Sequence, residues 1–157
     1  MDPNPLTGET MEGIPAPTVL LVEDNPDDAR MVDAAFQRSG IEATLKVVRD
    51  AEEATAYLTG VGPFSDRSTY AVPVLILLDM NLPGRSGLQF VEWLRRREEN
   101  RILPVIALTG LVDYDLVKKS FAAGVNSYLQ KPERFADLES ALQLVLKYWL
   151  VMSARPR

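Results

Sequence analysis

The chain has 157 residues, of which 46% are hydrophobic and 25% are charged, and its formal net charge is −5. This size suits one globular domain with a buried core, and the acidic balance argues against a nucleic-acid-binding surface, which needs clustered basic residues. Neither cysteine nor histidine is present, which excludes disulfides, thiol chemistry and any imidazole base, ligand or phosphohistidine.

Apolar runs in this chain are short. None approaches the roughly 18 residues that a membrane-spanning helix needs, and the N-terminus lacks the basic start and apolar core of a signal peptide. Together with the absence of cysteine, this predicts a cytoplasmic protein with no membrane segment. Residues 1–17 are rich in proline and glycine and poor in large apolar groups, which predicts a disordered leader.

From Thr18 onward, short apolar runs alternate with amphipathic stretches. The apolar runs predict strands at residues 19–22, 45–48, 74–78, 105–108 and 127–129. The amphipathic stretches predict five helices, which open after Asn25, after Asp50, after Ser86, near Leu116 and near Phe135. Residues 60–72 are predicted to form a polar loop, and the arginine run 95–97 a solvated helix end. This alternation predicts an α/β domain with one parallel sheet covered by helices on both faces.

Polar residues follow four of the predicted strands. Glu23 and Asp24 follow the first strand, Asp79 the third, Thr109 the fourth, and Lys131 lies two residues after the end of the fifth. Each is unremarkable alone, since polar residues commonly begin loops. Ligands of open parallel sheets bind at the carboxyl ends of the strands, so the joint pattern predicts a site at that edge.

The chemistry of this set indicates phosphoryl transfer. Three carboxylates packed together repel one another unless a cation neutralises them, and hard oxygen ligands without thiols or imidazoles favour Mg²⁺. Lys131 adds a positive charge for a phosphoryl oxygen and Thr109 adds a hydroxyl donor. A carboxylate such as Asp79 is a competent nucleophile for this reaction.

Four motifs resemble those of a known family, the receiver domains of two-component response regulators: VLLVEDN, LILLDMNLPGRSG, ALTG and SYLQKP. The resemblance covers residues 18–148. It implies the doubly wound, flavodoxin-like receiver fold, with five parallel strands in the order 2-1-3-4-5. It also implies a phosphoacceptor with at most self-catalysed phosphotransfer and autodephosphorylation, rather than an enzyme.

The resemblance assigns roles to individual residues. Asp79 is the phosphoacceptor, and Asp24, Asp79 and the backbone carbonyl of Asn81 bind Mg²⁺ (or Mn²⁺) directly. Glu23 assists the metal through a bound water.

Three further roles follow from the same resemblance. Lys131 pairs with the phosphoryl group, and its peptide bond to Pro132 is expected to be cis. Thr109 is the switch hydroxyl and Tyr128 the switch aromatic.

A partner must supply and read the signal. The resemblance implies a sensor histidine kinase as phosphoryl donor, and an unknown downstream protein as target, because no output domain follows residue 148. The long segment before the third strand and the apolar end 148–152 look like the single-domain regulators paired with bacterial phytochrome kinases. Two other functions stay open. A degenerate receiver used as a docking scaffold would lack Asp24, Asp79 or Lys131. An aspartyl-phosphate hydrolase would need an acid where Asn81 stands.

The C-terminal helix and the extension 149–157 predict a homodimer. One apolar stripe of the helix covers the domain, and a second stripe lies on a neighbouring face, so one core does not easily bury both. The alternative, in which the tail folds back over its own domain, stays open. The first stripe comprises Leu138, Leu142, Val145, Trp149 and Met152, and the second comprises Leu144, Tyr148 and Val151.

Overall fold

The computed structural model describes residues 15–110 and 112–155, so most of the predicted leader (residues 1–14) lies outside the described residues. Five strands form one parallel sheet in the order β2-β1-β3-β4-β5, which confirms the predicted fold and strand order. The strands are β1 (Thr18–Val22), β2 (Thr44–Val48), β3 (Leu75–Asp79), β4 (Val105–Thr109) and β5 (Ser127–Gln130).

Five α-helices connect and follow the strands. They are α1 (Pro26–Arg38), α2 (Ala51–Thr59), α3 (Gly87–Arg96), α4 (Tyr114–Ala123) and α5 (Phe135–Leu146). The predicted caps Asn25, Asp50 and Ser86 each accept backbone N–H bonds at a helix start, and Asp113 does so for α4. Short 3₁₀ turns lie at Gly62–Phe64 and Glu98–Asn100. No helix in the described ranges is long and apolar enough to cross a membrane.

The sheet separates two apolar layers. Alternate strand residues such as Leu20, Ile76 and Ala107 face α2, α3 and α4, while Leu21, Leu77 and Ile106 face α1 and α5. Both faces are buried, which explains why β1, β3 and β4 read as continuous apolar runs rather than as alternating ones.

The C-terminal helix follows its predicted pattern except at its end. Of the predicted core-facing stripe, Leu138 and Leu142 are buried, and Val145 and Trp149 are partly buried against the same core, whereas Met152 is 52% exposed. Leu146 and Leu150 are also buried there. A π-helical turn over Lys147–Met152, in which each turn holds more residues than in an α-helix, brings Leu150 rather than Met152 onto the core.

Candidate functional site

The carboxyl ends of the strands surround an open cavity of about 420 Å³. Its lining includes four of the predicted site residues, together with two acidic residues, Asp28 and Asp113, that the sequence did not single out. The lining residues are Asp28, Asp79, Met80, Asn81, Thr109, Gly110, Asp113, Leu116 and Lys131.

Asp79 is the last residue of β3 and is buried. Its Oδ1 accepts a hydrogen bond of 2.9 Å from the backbone N–H of Asn81, and its Oδ2 lies 3.9 Å from Lys131 Nζ. One oxygen is therefore held by the following loop, while the other is outside hydrogen-bond distance of the ammonium.

Gly87 lets helix α3 begin directly against the Asp79 backbone. A Cβ at this position would lie 2.7 Å from Met80 Cα and 3.0 Å from the Asp79 carbonyl oxygen. Any larger residue would push α3 away from the end of β3 or displace the loop that carries Asp79 and Asn81.

Three carboxylates meet beside the cavity. Glu23, Asp24 and Asp79 each place a carboxylate oxygen within 4.8 Å of the others, with Asp24 exposed and the other two buried. Glu23 Oε2 is buried and has no hydrogen-bond partner among the described residues. A cation or its bound water would supply that missing partner, and the all-oxygen donor set suits Mg²⁺ or Mn²⁺.

The close packing perturbs the acids. Burial is the largest cause that raises the pKa of Glu23 to about 8, and the nearby Asp79 carboxylate acts in the same direction, although Lys131 works in the opposite direction. Without a cation, the ionised form of Glu23 is therefore disfavoured, because its charge would add to the repulsion between the carboxylates.

Lys131 lies among acids on three sides. Its Nζ donates to Glu23 Oε1 at 2.5 Å and to Asp28 Oδ2 at 2.9 Å. Burial alone would lower the pKa of Lys131, but these two hydrogen bonds raise it, so the side chain stays charged. The Lys131–Pro132 peptide bond is trans, in contrast to the cis bond that the sequence resemblance implied.

Thr109 and Tyr128 occupy adjacent strands beside the cavity. Thr109 is buried at the end of β4, and its carbonyl accepts a 2.6 Å bond from the Lys131 N–H. Tyr128 packs its ring against the layer of α2, α3 and α4. Its hydroxyl is buried with no hydrogen-bond partner in the described part of the chain. Burial raises the pKa of Tyr128, while the neighbouring Thr109 hydroxyl opposes that rise.

The structure thus brings the predicted residues to one edge of the sheet, with Glu23, Asp24 and Tyr128 next to the cavity rather than in its lining. Sequence reasoning missed Asp28 and Asp113. Each has a local role at the start of a helix, since Asp28 lies in the first turn of α1 and Asp113 caps α4. Their place just after a strand end was the available signal.

Comparison with known proteins agrees with this geometry. The family model described as response regulator receiver domain matches residues 19–143. The probable methanogenesis regulatory protein FilR2 of Methanothrix harundinacea is 31% identical over 96% of this chain and 94% of its own length.

Two solved structures show the same fold over nearly the whole chain. The phosphorylated cyanobacterial phytochrome response regulator RcpA is similar with a TM-score of 0.83 and 29% identity, covering 90% of this chain and 99% of that one. The Mn²⁺-bound form of response regulator Rcp1 has a TM-score of 0.80 and 32% identity with the same coverage, and Rcp1 comes from Synechocystis.

Proposed function

The chain belongs to the response regulator receiver domain family, and we propose that Asp79 accepts a phosphoryl group from a sensor histidine kinase and thereby switches the binding of a partner protein. A receiver is a phosphoacceptor signalling domain rather than a classical enzyme. The observation that carries the proposal is the position of Asp79, whose carboxylate lies within 4.8 Å of those of Glu23 and Asp24 and 3.9 Å from the ammonium of Lys131.

The transfer is a displacement at phosphorus. An oxygen of Asp79 forms the new P–O bond while the P–N bond of the kinase phosphohistidine breaks, and the released imidazole nitrogen keeps the electron pair and takes up a proton. The sequence has no histidine, so the phosphoryl donor lies outside these 157 residues. Lys131 pairs with an equatorial phosphoryl oxygen once the group is in place.

A divalent cation completes the site. Asp24, Asp79 and the Asn81 carbonyl would hold Mg²⁺ or Mn²⁺ in this proposal, with Glu23 assisting through a bound water. The bound ion would supply positive charge to the phosphoryl oxygens. The orphaned Glu23 Oε2 and the Mn²⁺-bound form of Rcp1 support this assignment.

The switch consists of Thr109 and Tyr128. The Thr109 hydroxyl moves to the phosphoryl group, and the Tyr128 ring, whose hydroxyl is buried without a partner, follows into the vacated space. The face of α4 and β5 changes as a result, and the downstream protein reads that change.

The kinase is a bacterial phytochrome in this proposal, and the protein acts in the cytoplasm as a homodimer. RcpA supports the phytochrome pairing, and exposed Leu144 and Tyr148 support the dimer. A kinase of another sensory class is the second candidate, because FilR2 is described as a methanogenesis regulator.

The test is covalent labelling. The protein is incubated with acetyl phosphate and Mg²⁺, and the adduct is located by mass spectrometry. We expect one phosphoryl group on Asp79 and none in Asp79→Asn, with Asp33→Asn on α1 as a matched control that labels like the wild type. A docking scaffold would take no label, and label that persists in Asp79→Asn would place the acceptor elsewhere.

A further inference from the structure

Asp28 contacts Lys131 more closely than Asp79 does. Lys131 Nζ lies 2.9 Å from Asp28 Oδ2 and 3.9 Å from Asp79 Oδ2, so the ammonium is hydrogen-bonded to Asp28 and not to the acceptor. Lys131 is the charge that a phosphoryl group on Asp79 would need. In the unphosphorylated protein, that charge is therefore already engaged by Asp28, and also by Glu23, whose Oε1 lies 2.5 Å from Lys131 Nζ.

Asp28 is fixed where it stands. It lies in the first turn of α1, and its backbone N–H donates to the Asn25 side chain at the helix cap. Its short side chain cannot follow Lys131 far toward Asp79 without unwinding that turn. Lys131 has the longer, more flexible stem, so the ammonium is the group that moves.

Asp28 also adds negative charge at the mouth of the cavity. Its side chain is 40% exposed and lines the cavity together with Asp113. Small phosphoryl donors are anions, and they must pass this rim to reach Asp79. The carboxylate thus opposes reaction in two ways, by holding Lys131 and by repelling the donor.

We propose that Asp28 is a positioning residue that keeps Lys131 away from Asp79 until phosphorylation, when the ammonium exchanges the Asp28 carboxylate for a phosphoryl oxygen. This inference rests on the proposed phosphoacceptor function. The contact between Asp28 and Lys131 makes the unphosphorylated protein slow to react with free phosphoryl donors. It also shortens the lifetime of the phosphorylated form, because Asp28 continues to compete for Lys131.

Three variants on α1 test this: Asp28→Asn, Asp28→Glu and Asp33→Asn. Each is labelled with acetyl phosphate at saturating Mg²⁺, and the label is then followed after the donor is removed. We expect Asp28→Asn to label roughly two- to fivefold faster and to keep its label longer by a similar factor, the range that a partly exposed ion pair supports. Asp28→Glu retains the charge and stays near the wild-type rates.

Asp33→Asn removes the same charge from an exposed site on the same helix and should leave both rates unchanged. The inference would be overturned if Asp28→Asn labelled no faster than the wild type and lost its label no more slowly. That result would leave the phosphoacceptor function intact. If the wild type itself takes no label, both fail. A merely structural role for Asp28 would lower the melting temperature without lengthening the life of the label.

Discussion

Glu23 carries a large electrostatic cost in the metal-free protein. Its side chain is 1% exposed, one oxygen has no partner among the described residues, and its pKa rises from 4.5 to about 8. Because the folded-state pKa is raised, the contribution of Glu23 to stability is most favourable below pH 4.5 and is lost as the pH rises toward 8. A cation reverses this, since it binds the ionised carboxylate.

The stabilising effect of Mg²⁺ should therefore grow with pH. We expect the rise in melting temperature caused by saturating Mg²⁺ to be larger at pH 8.5 than at pH 5.5 by at least about 3 °C, the shift that about 1 kcal/mol produces in a domain of this size. Differential scanning calorimetry with and without the ion measures it. Glu23→Gln cannot ionise and should lose the pH dependence. A rise in melting temperature of the same size at both pH values would contradict the raised pKa of Glu23.

Arg95 shows how a single side chain joins elements of the fold. The sequence predicted a solvated run at residues 95–97, yet the Arg95 guanidinium donates to the carbonyls of Asn100, Leu103 and Gly124. Gly124 ends α4 with a φ of 116°. Arg95 thus links α3 to the C-terminal end of α4 and to the segment that leads into β4.

Loss of this link should destabilise the domain. Arg95→Met keeps the aliphatic stem but leaves several carbonyls without a donor, and we expect a loss of about 2–4 kcal/mol in the free energy of unfolding. Urea denaturation measures it. The neighbouring Arg96 is exposed, so Arg96→Met is the matched control and should change stability by less than about 0.5 kcal/mol. Equal effects of the two substitutions would show that the carbonyl contacts contribute little.

The helices and strands were predictable from the sequence where burial or local capping produces a simple pattern of residues. β1, β3 and β4 are apolar on both faces because the sheet is covered on both sides, and helix caps such as Asn25 act locally. Contacts between distant segments left no such pattern. The loop before β3 read as polar, yet Arg67 in that loop donates to the Tyr57 and Leu58 carbonyls at the end of α2.

The residues of the site also divide into those that the sequence predicted and those that it did not. Glu23, Asp79 and Lys131 were predictable because parallel strands bring their carboxyl ends to one edge. The contact of Lys131 with Asp28 was not, because it depends on where α1 packs against the sheet. The prediction of Met152 as a core-facing residue was wrong, because a π-helical turn changes the spacing of core positions beyond Leu146.

On the scale of the whole molecule, α5 leaves an apolar face uncovered. Leu144 is 71% exposed, Tyr148 53% and Met152 52%, while Trp149 and Leu150 pack against the protein's own core. The tail thus folds back in part, and the remaining face suits a two-fold contact with a second copy.

Substitutions on this face should separate the copies. We expect the full chain to be a dimer at tens of micromolar by light scattering, and Leu144→Glu with Tyr148→Glu to make it monomeric. Truncation after residue 147 is a poorer test, because it removes buried Leu150. Tyr114→Glu on α4 changes an equally exposed aromatic, at 82% exposure, and should leave the dimer intact. A monomeric wild type would refute the dimer, and a dimeric double variant would move the interface elsewhere.

The division of the core by the sheet has a consequence for cooperativity. Tyr128 belongs to the layer of α2, α3 and α4, whereas α5 packs on the opposite layer. If the copies join through α5, the switch and the interface lie on opposite sides of β5, and we expect neither equilibrium to bias the other. Because coupling is reciprocal, the two subunits should then be phosphorylated independently. Analytical ultracentrifugation should give the same dimer dissociation constant with and without phosphorylation. The fraction of Asp79 that is phosphorylated should rise with donor concentration without a sigmoidal curve. The phosphorylation of such a dimer would increase gradually with donor concentration, rather than abruptly above a threshold concentration.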